Sequence, residues 1–265
     1  MRRGLNMKKH LLAALAGVVR GALVLSPAPA AAAGILDRDV IRVGTEATYP
    51  PFEYRNDKNE IVGYDIEVVQ AIGKHLGKKV DIVDMAFDGL IPALMTAKID
   101  LVAAGMTNTE ERRKKVDFSD VYYDIENAFV VRGNDGSIAT LDDLRGKIAT
   151  VQIGTAQDTF ITGTGLPAEI KRFQKNDDAL MEVKVGRGDF SVLNLTVANA
   201  FLRNNKTFGE DLKIGFRNKI HREGEGIALG IPKGDEAFLK AVNDAIALMK
   251  KNGEFDELKK KYQMD

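Results

Sequence analysis

Apolar and polar positions first fall into a regular pattern at residues 40–44, where Val40, Ile41 and Val43 flank Arg42 and predict a strand. Residues 65–77 follow with apolar positions at helical spacing and close on Gly77, the signature of an amphipathic helix with a glycine stop. The alternation then repeats. Residues 79–85 predict a second strand, 90–97 a helix with Pro92 tolerated in its first turn, and 99–104 a third strand. A second series starts at 141–146, runs through a strand at 147–151 and reaches another at 189–193. Strands alternating with helices imply mostly parallel sheets with helices on both faces, here in two similar α/β lobes. Ala237, Phe238, Ala241, Val242, Ala245, Ile246 and Met249 mark one face of a long late helix, stopped at Gly253 and followed by a short basic helix to Tyr262.

The N-terminus departs from this pattern. Arg2, Arg3, Lys8 and Lys9 precede an apolar stretch from Leu11 to Leu25, interrupted by Arg20, and small residues then run to Gly34. That order predicts a secretory signal over residues 1–33, cut after Ala33, with Met7 as a second possible start. No later segment approaches the roughly 20 apolar residues of a spanning helix. The chain has no cysteine, so a lipid anchor on cysteine is excluded, and the expected address is the periplasm.

Apolar residues make up 45% of the 265 and charged residues 29%, a balance that fits one or two globular domains and excludes a disordered chain. The formal charge of zero hides an asymmetry. Removing residues 1–33, which hold five basic and no acidic groups, leaves 33 basic against 38 acidic residues, a formal charge of −5. Nucleic acid is therefore not expected as a partner. No His, Asp and Glu cluster suggests a metal, and no cofactor motif is present.

In open α/β sheets ligands sit beyond the carboxyl ends of the strands, which directs attention to the loops that follow them. The loop 44–52 carries Glu46 and Tyr49 beside paired prolines, an acid and an aromatic platform suited to a polar organic ligand; a turn with a packed Tyr49 and a solvated Glu46 fits it equally well. Phe87, after the second strand, offers another platform, or simply core. Residues 104–113 carry the strongest chemistry. Thr107 with Glu110 reads as a capping box, which would start a helix and set Arg112 in its first turns. There a planar guanidinium could hold a carboxylate through two parallel hydrogen bonds. The neighbouring Arg113, Lys114 and Lys115 read as a solvated basic run. Residues 152–160 place a glycine turn before a helix and so offer backbone N–H donors to an anion. Asn194, beyond the next strand, is either a plain turn former or a side chain reaching the same cleft.

Five segments together resemble the polar amino-acid-binding family of periplasmic solute-binding proteins: residues 43–52, 62–67, 87–94, 106–112 with 116–119, and 142–147. The likeness runs from Ile35 to the end of the chain. It implies a two-lobed type II periplasmic binding protein fold, each lobe a mostly parallel sheet flanked by helices, with lobe 1 at 34–124 and 223–265 and lobe 2 at 125–222. Hinge strands are expected near 122–126 and 221–225. Arg112 would hold the ligand's α-carboxylate with the N–H of Thr107 and of Thr155 or Ala156. Tyr49 and Phe87 would sandwich the side chain, Ala104 and Gly105 would meet the α-ammonium, Gln152 would touch the ligand, and Glu46 would read its side chain.

One position departs from the family. Asp is usual where this chain has Asn194, and a neutral acceptor is worth about 1 kcal/mol against about 1.5–3 for a charged one. Affinity for an ordinary α-amino acid should fall unless Glu46 compensates, or the ligand lacks a free ammonium. The resemblance implies a monomeric receptor that delivers a small polar amino acid to an ABC permease; glutamine, histidine, basic amino acids and cystine all remain open. A ligand sensor for a chemoreceptor is compatible with that role. An enzyme on the same fold, similar to cyclohexadienyl dehydratase, would need a general acid, for which Glu46 is the candidate; His10, His75 and His221 fall in no expected site loop.

Overall fold

The computed structural model describes residues 34–264 apart from Asn205. The expected secretion signal at 1–33 lies outside the described residues. Along the chain, β1 (Val40–Thr45) leads into a small meander of β2 (Thr48–Tyr49), β3 (Glu53–Arg55) and β4 (Ile61–Val62), and then into α1 (Tyr64–His75). Next come β5 (Lys79–Asp84), α2 (Leu90–Met95), β6 (Leu101–Val102), α3 (Glu110–Arg113) and β7 (Asp117–Phe118). A second sheet begins with β8 (Asn127–Arg132) and continues with β9 (Ile148–Gln152), α4 (Ala156–Thr164), β10 (Glu169–Phe173), α5 (Asn176–Lys184), β11 (Phe190–Asn194), α6 (Leu195–Asn204), α7 (Lys206–Gly209) and β12 (Leu212–Asn218). The chain then returns to the first sheet as β13 (Gly230–Ile231) and ends in α8 (Glu236–Asn252) and α9 (Glu254–Lys261).

The first sheet has the order β5-β1-β6-β13-β7 and the second β10-β9-β11-β8-β12. Both are mixed where the sequence pattern suggested mostly parallel sheets, and the reason is connectivity. Strands joined through helices, β1 with β5 and β6, and β9 with β10 and β11, pair in parallel as βαβ units. Strands next to a passage between the sheets need no crossover helix: β13 runs antiparallel to β6 and β7, and β8 antiparallel to β11 and β12. The strand expected at 99–104 pairs only over Leu101–Val102.

Each sheet is covered on both faces. On the first, Val68, Val69 and Ile72 of α1 pack with Phe238, Val242, Ile246 and Met249 of α8, while Leu90 and Leu94 of α2 pack with Val102 and Met106 on the other side. On the second, Ile161 of α4 joins Phe129, Val151, Phe190 and Val192, and Val183 joins Val197 and Phe201 on the opposite face. Helix α8 stops where Gly253 takes φ 84°, and its N–H caps the Met249 carbonyl.

The chain passes between the sheets twice, through residues 119–126 and 219–229. The passages touch antiparallel, Tyr122 N–H to Ile227 O at 3.1 Å and Ile227 N–H to Tyr123 O at 2.9 Å. The paired part of the second passage thus lies just beyond the expected 221–225, which instead turns on itself through Glu225 N–H to Arg222 O.

The meander is laced to α1 at one glycine. Tyr64 N–H bonds Pro51 O and Asp65 N–H bonds Phe52 O, both at 2.9 Å, and Gly63 between the two segments has φ 139°. A Cβ on Gly63 would stand 2.2 Å from the Phe52 carbonyl oxygen. Gly63→Ala should therefore lose about 2 kcal/mol or more in urea unfolding, from backbone strain plus the clash; an unchanged unfolding midpoint would remove Gly63 from its place as the lace between meander and helix.

Candidate ligand-binding site

The carboxyl ends of the parallel strands of the two sheets face each other across a narrow cavity. Its first side is made by Glu46, Tyr49, Phe87, Ala104, Gly105, Thr107 and Arg112, and its second by Gln152, Thr155, Ala156, Gln157 and Asn194. The structure thus brings every residue singled out in the sequence into one lining and adds Gln157. The sides touch: Arg112 Nη2 donates to Gly154 O at 3.0 Å, and Gln152 Nε2 donates to Glu46 Oε2 at 3.3 Å. Beside Arg112 the cavity gives onto a groove of about 860 Å³ that includes His221.

Arg112 is placed by a helix start that differs from the expected one. Thr107 is held extended in a bridge to Ile227, so it caps nothing, and α3 begins later with Thr109 as N-cap, its hydroxyl accepting from Arg112 N–H at 3.4 Å. The Thr107–Glu110 box does not form. Thr107 contributes its carbonyl instead, accepting from Arg112 Nη1 at 2.8 Å. The guanidinium lies over the Phe87 ring, 5.3 Å from its centroid, as a cation on a π face. Burial pulls its pKa down to about 10, against the opposing pull of Tyr49 and Glu225. Among the described residues no carboxylate forms an ion pair with this guanidinium, so a half-buried cation with a planar donor fork, bonded to two carbonyls and set over a ring, faces the cavity.

Across the cavity, Thr155 is the N-cap of α4: its hydroxyl accepts from Asp158 N–H at 3.1 Å and donates to Gln152 O at 2.8 Å. The first N–H groups of α4 have no intrahelical acceptor, which makes this end a second donor surface for an anion.

The floor is set by Gly105. Its φ is 52°, and a Cβ would stand 2.8 Å from the Tyr49 ring, so the tyrosine lies flat on bare backbone. Gly105 N–H is held by Asp65 Oδ2 at 2.8 Å. Behind it are two buried acids. Burial pushes Asp65 up to about 7 and Glu53 well above the ordinary carboxyl range, the latter helped by Asp65 and Glu46. Neither oxygen of Glu53 has a hydrogen-bond partner, and burial favours the neutral form of that side chain.

Glu46 faces the cavity from the loop after β1. Its Oε1 accepts from the Thr48 hydroxyl at 2.5 Å and its Oε2 from Gln152. Gln152 is itself fixed, donating to Gln174 O at 2.8 Å and accepting from Asn176 Nδ2 at 2.6 Å. Burial raises the Glu46 pKa, with the Thr48 and Gln152 bonds opposing and the charges of Asp84 and Asp177 adding to the rise. Asn194 closes the far end, its Oδ1 accepting from Thr196 N–H at 2.8 Å. Gln157 stands in the first turn of α4 with Nε2 donating to Asn127 Oδ1 at 2.7 Å. Its sequence signal was its place two residues after the cap Thr155, which turns it toward the same end of the helix. His221 was passed over because it lies in a passage between the sheets rather than after a parallel strand; burial lowers its pKa, against the pull of Glu225.

Residues 41–265 match the family model described as bacterial extracellular solute-binding proteins, family 3. The chain belongs to this family. It is 36% identical over 260 residues to the arginine-binding extracellular protein ArtP of Bacillus subtilis (strain 168), covering 97% of this chain and 98% of that protein. It is 34% identical over 256 residues to the L-cystine-binding protein TcyJ of Escherichia coli (strain K12), covering 94% of each. Among solved structures, an ancestral arginine-binding protein bound to arginine superimposes with a TM-score of 0.80 at 40% identity, covering 85% of this chain and 98% of that one. These likenesses agree with the resemblance read from the sequence, and the type II fold of this solute-binding family accounts for both sheets and both passages.

The shifted Glu46 has a measurable consequence. Its raised folded pKa means that the ionised form is destabilising in this site; the penalty is absent below the ordinary carboxyl pKa and grows as pH rises through the higher folded value. Glu46→Gln should therefore melt with the parent near about pH 4 and at a higher temperature at about pH 8. A lower melting temperature than the parent at the alkaline end would show that the ionised carboxylate stabilises the fold.

Proposed function

We propose that this family 3 protein is the periplasmic, monomeric receptor of an ABC importer, taking a polar amino acid or amino-acid derivative between its two lobes and presenting the closed form to a membrane permease. The observation that carries the reading is Arg112, a half-buried guanidinium on a π face that forms no ion pair among the described residues, opposite the donor end of α4. A ligand carboxylate placed there meets donors from both sides of the cleft. Binding and closure become one event, because the same group that satisfies Arg112 also ties it to Thr155 and Ala156 across the gap. The passages at 119–126 and 219–229 are the places where rotation would occur.

Glu46 supports a ligand side chain that donates hydrogen bonds, arginine-like first, since such a group can replace the Gln152 amide on Oε2. The names of the relatives, arginine- and cystine-binding, point the same way. The expected signal at 1–33 and the extracellular description of the family support the periplasmic address. An enzyme needs an acid and a base disposed about a reacting atom. His221, paired at 4.0 Å with Glu225, lines the groove rather than the cavity that holds Glu46, which favours binding over catalysis.

The reading is tested by a thermal-shift screen of polar amino acids and their α-modified derivatives, followed by calorimetry on the best ligand. Arg112→Ala, shown by circular dichroism to be folded, should lose at least about a hundredfold in affinity, since two charge-assisted bonds of about 1.5–3 kcal/mol each disappear. Parent-like affinity in that variant would remove the carboxylate anchor and the proposal with it.

A further inference from the structure

The wall built from β11 and α4 ends in two carboxamides, the first oriented by a backbone N–H and the second by a neighbouring amide. Asn194 Oδ1 accepts from Thr196 N–H in the first turn of α6, at 2.8 Å. That bond leaves Nδ2 as the end of the amide that is free, and among the described residues it meets no acceptor. Turning the amide over would set its NH2 against the Thr196 N–H, so the orientation is forced. Gln157 is the complement. Its Nε2 is committed to Asn127 Oδ1 at 2.7 Å, and Asn127 is the residue paired with Asn194 between β8 and β11. Gln157 Oε1 therefore remains as an acceptor in the same lining as the Asn194 donor.

A neutral donor and a neutral acceptor side by side select for their mirror image. An ammonium carries only N–H donors and no lone pair; it would satisfy Gln157 and meet Asn194 donor against donor, in a site where Asn194 is buried. A hydroxyl or an acylated nitrogen satisfies both, giving its hydrogen to Gln157 Oε1 and an oxygen lone pair to Asn194 Nδ2. The negative charges that might rescue an ammonium are placed badly for it. Glu53 and Asp65 sit behind Gly105 and are not part of the lining, and Glu46, held by Thr48, is taken by the ligand's side chain in the reading above.

We propose that the ligand carries, at the carbon beside the carboxylate held by Arg112, a neutral group that both donates and accepts a hydrogen bond: the preferred ligands are N-acylated amino acids or their 2-hydroxy counterparts rather than amino acids with a free ammonium. This rests on the reading of the cavity as the ligand site given above, with the carboxylate at Arg112.

The test is calorimetry on the full mature chain with matched triplets that share a side chain: L-arginine, its Nα-acetyl derivative and its 2-hydroxy counterpart, and the same three for glutamine. At least one masked member of a triplet should bind at least tenfold more tightly than the free amino acid, and which of the two does so identifies the group. Asn194→Asp keeps an oxygen for the Thr196 N–H but turns an anionic acceptor toward the cavity, so it should reverse the order in favour of the free amino acid. Free amino acids binding as tightly as or more tightly than both masked members, or an order unchanged by Asn194→Asp, would overturn the inference. Preference for masked members in the glutamine triplet alone would overturn the arginine-like side-chain reading and leave this one standing, whereas no binding by any of the six would overturn it.

Discussion

A half-buried guanidinium with no ion-pair partner among the described residues is the constraint around which this molecule is arranged. Desolvating Arg112 is unfavourable, and the structure offsets it only in part with the Phe87 ring and two carbonyls, one from each side of the cleft. Each support comes from a different place in the chain: the ring from the turn before α2, one carbonyl from the segment between β6 and α3, the other from the loop before α4. Holding them within reach of one side chain requires the two sheets to present their carboxyl ends to each other. The deficit in the cavity and the two-sheet architecture are in that sense the same fact.

The floor of the cavity follows a second rule, that negative charge is kept off it. Glu53 and Asp65 are carboxylic acids in composition, yet burial raises the pKa of both, for Asp65 against the Gly105 and Tyr122 hydrogen bonds that favour its ionised form. Glu46 alone brings a carboxyl to the lining, fastened by Thr48 and Gln152. The cavity thus has one cationic end, one acidic point and one neutral polar wall, a division of labour that a count of acidic residues would not disclose.

The helix and strand pattern of the fold was legible because β-branched runs and helical spacing are local signals, and the site residues were legible because each follows a strand. What the pattern could not give were the features decided by distant partners. Thr107 has every local mark of a helix cap, but its bridge to Ile227, from the far end of the chain, holds it extended and moves the cap to Thr109. The antiparallel strands beside the passages were invisible for the same reason, since β13 pairs with strands that precede it by more than a hundred residues. Asn194 was recognised as a neutral residue at a charged position, while the direction in which its amide points is set by Thr196 and could be read only from coordinates.

The return of β13 to the middle of the first sheet also bears on how the molecule comes into being. Because β13 lies between β6 and β7, and α8 and α9 share with α1 the cover of one face, the first sheet has a gap between β6 and β7 until the last fifth of the chain is present. The final turn is even tied back to a passage segment, through the Tyr123 hydroxyl and Met264 O at 3.0 Å. Such long-range closure makes folding slow relative to a chain of local contacts. A chain stopped short of residue 230 would leave β6 and β7 without the strand they share, so the first sheet is completed by its latest strand rather than by its earliest.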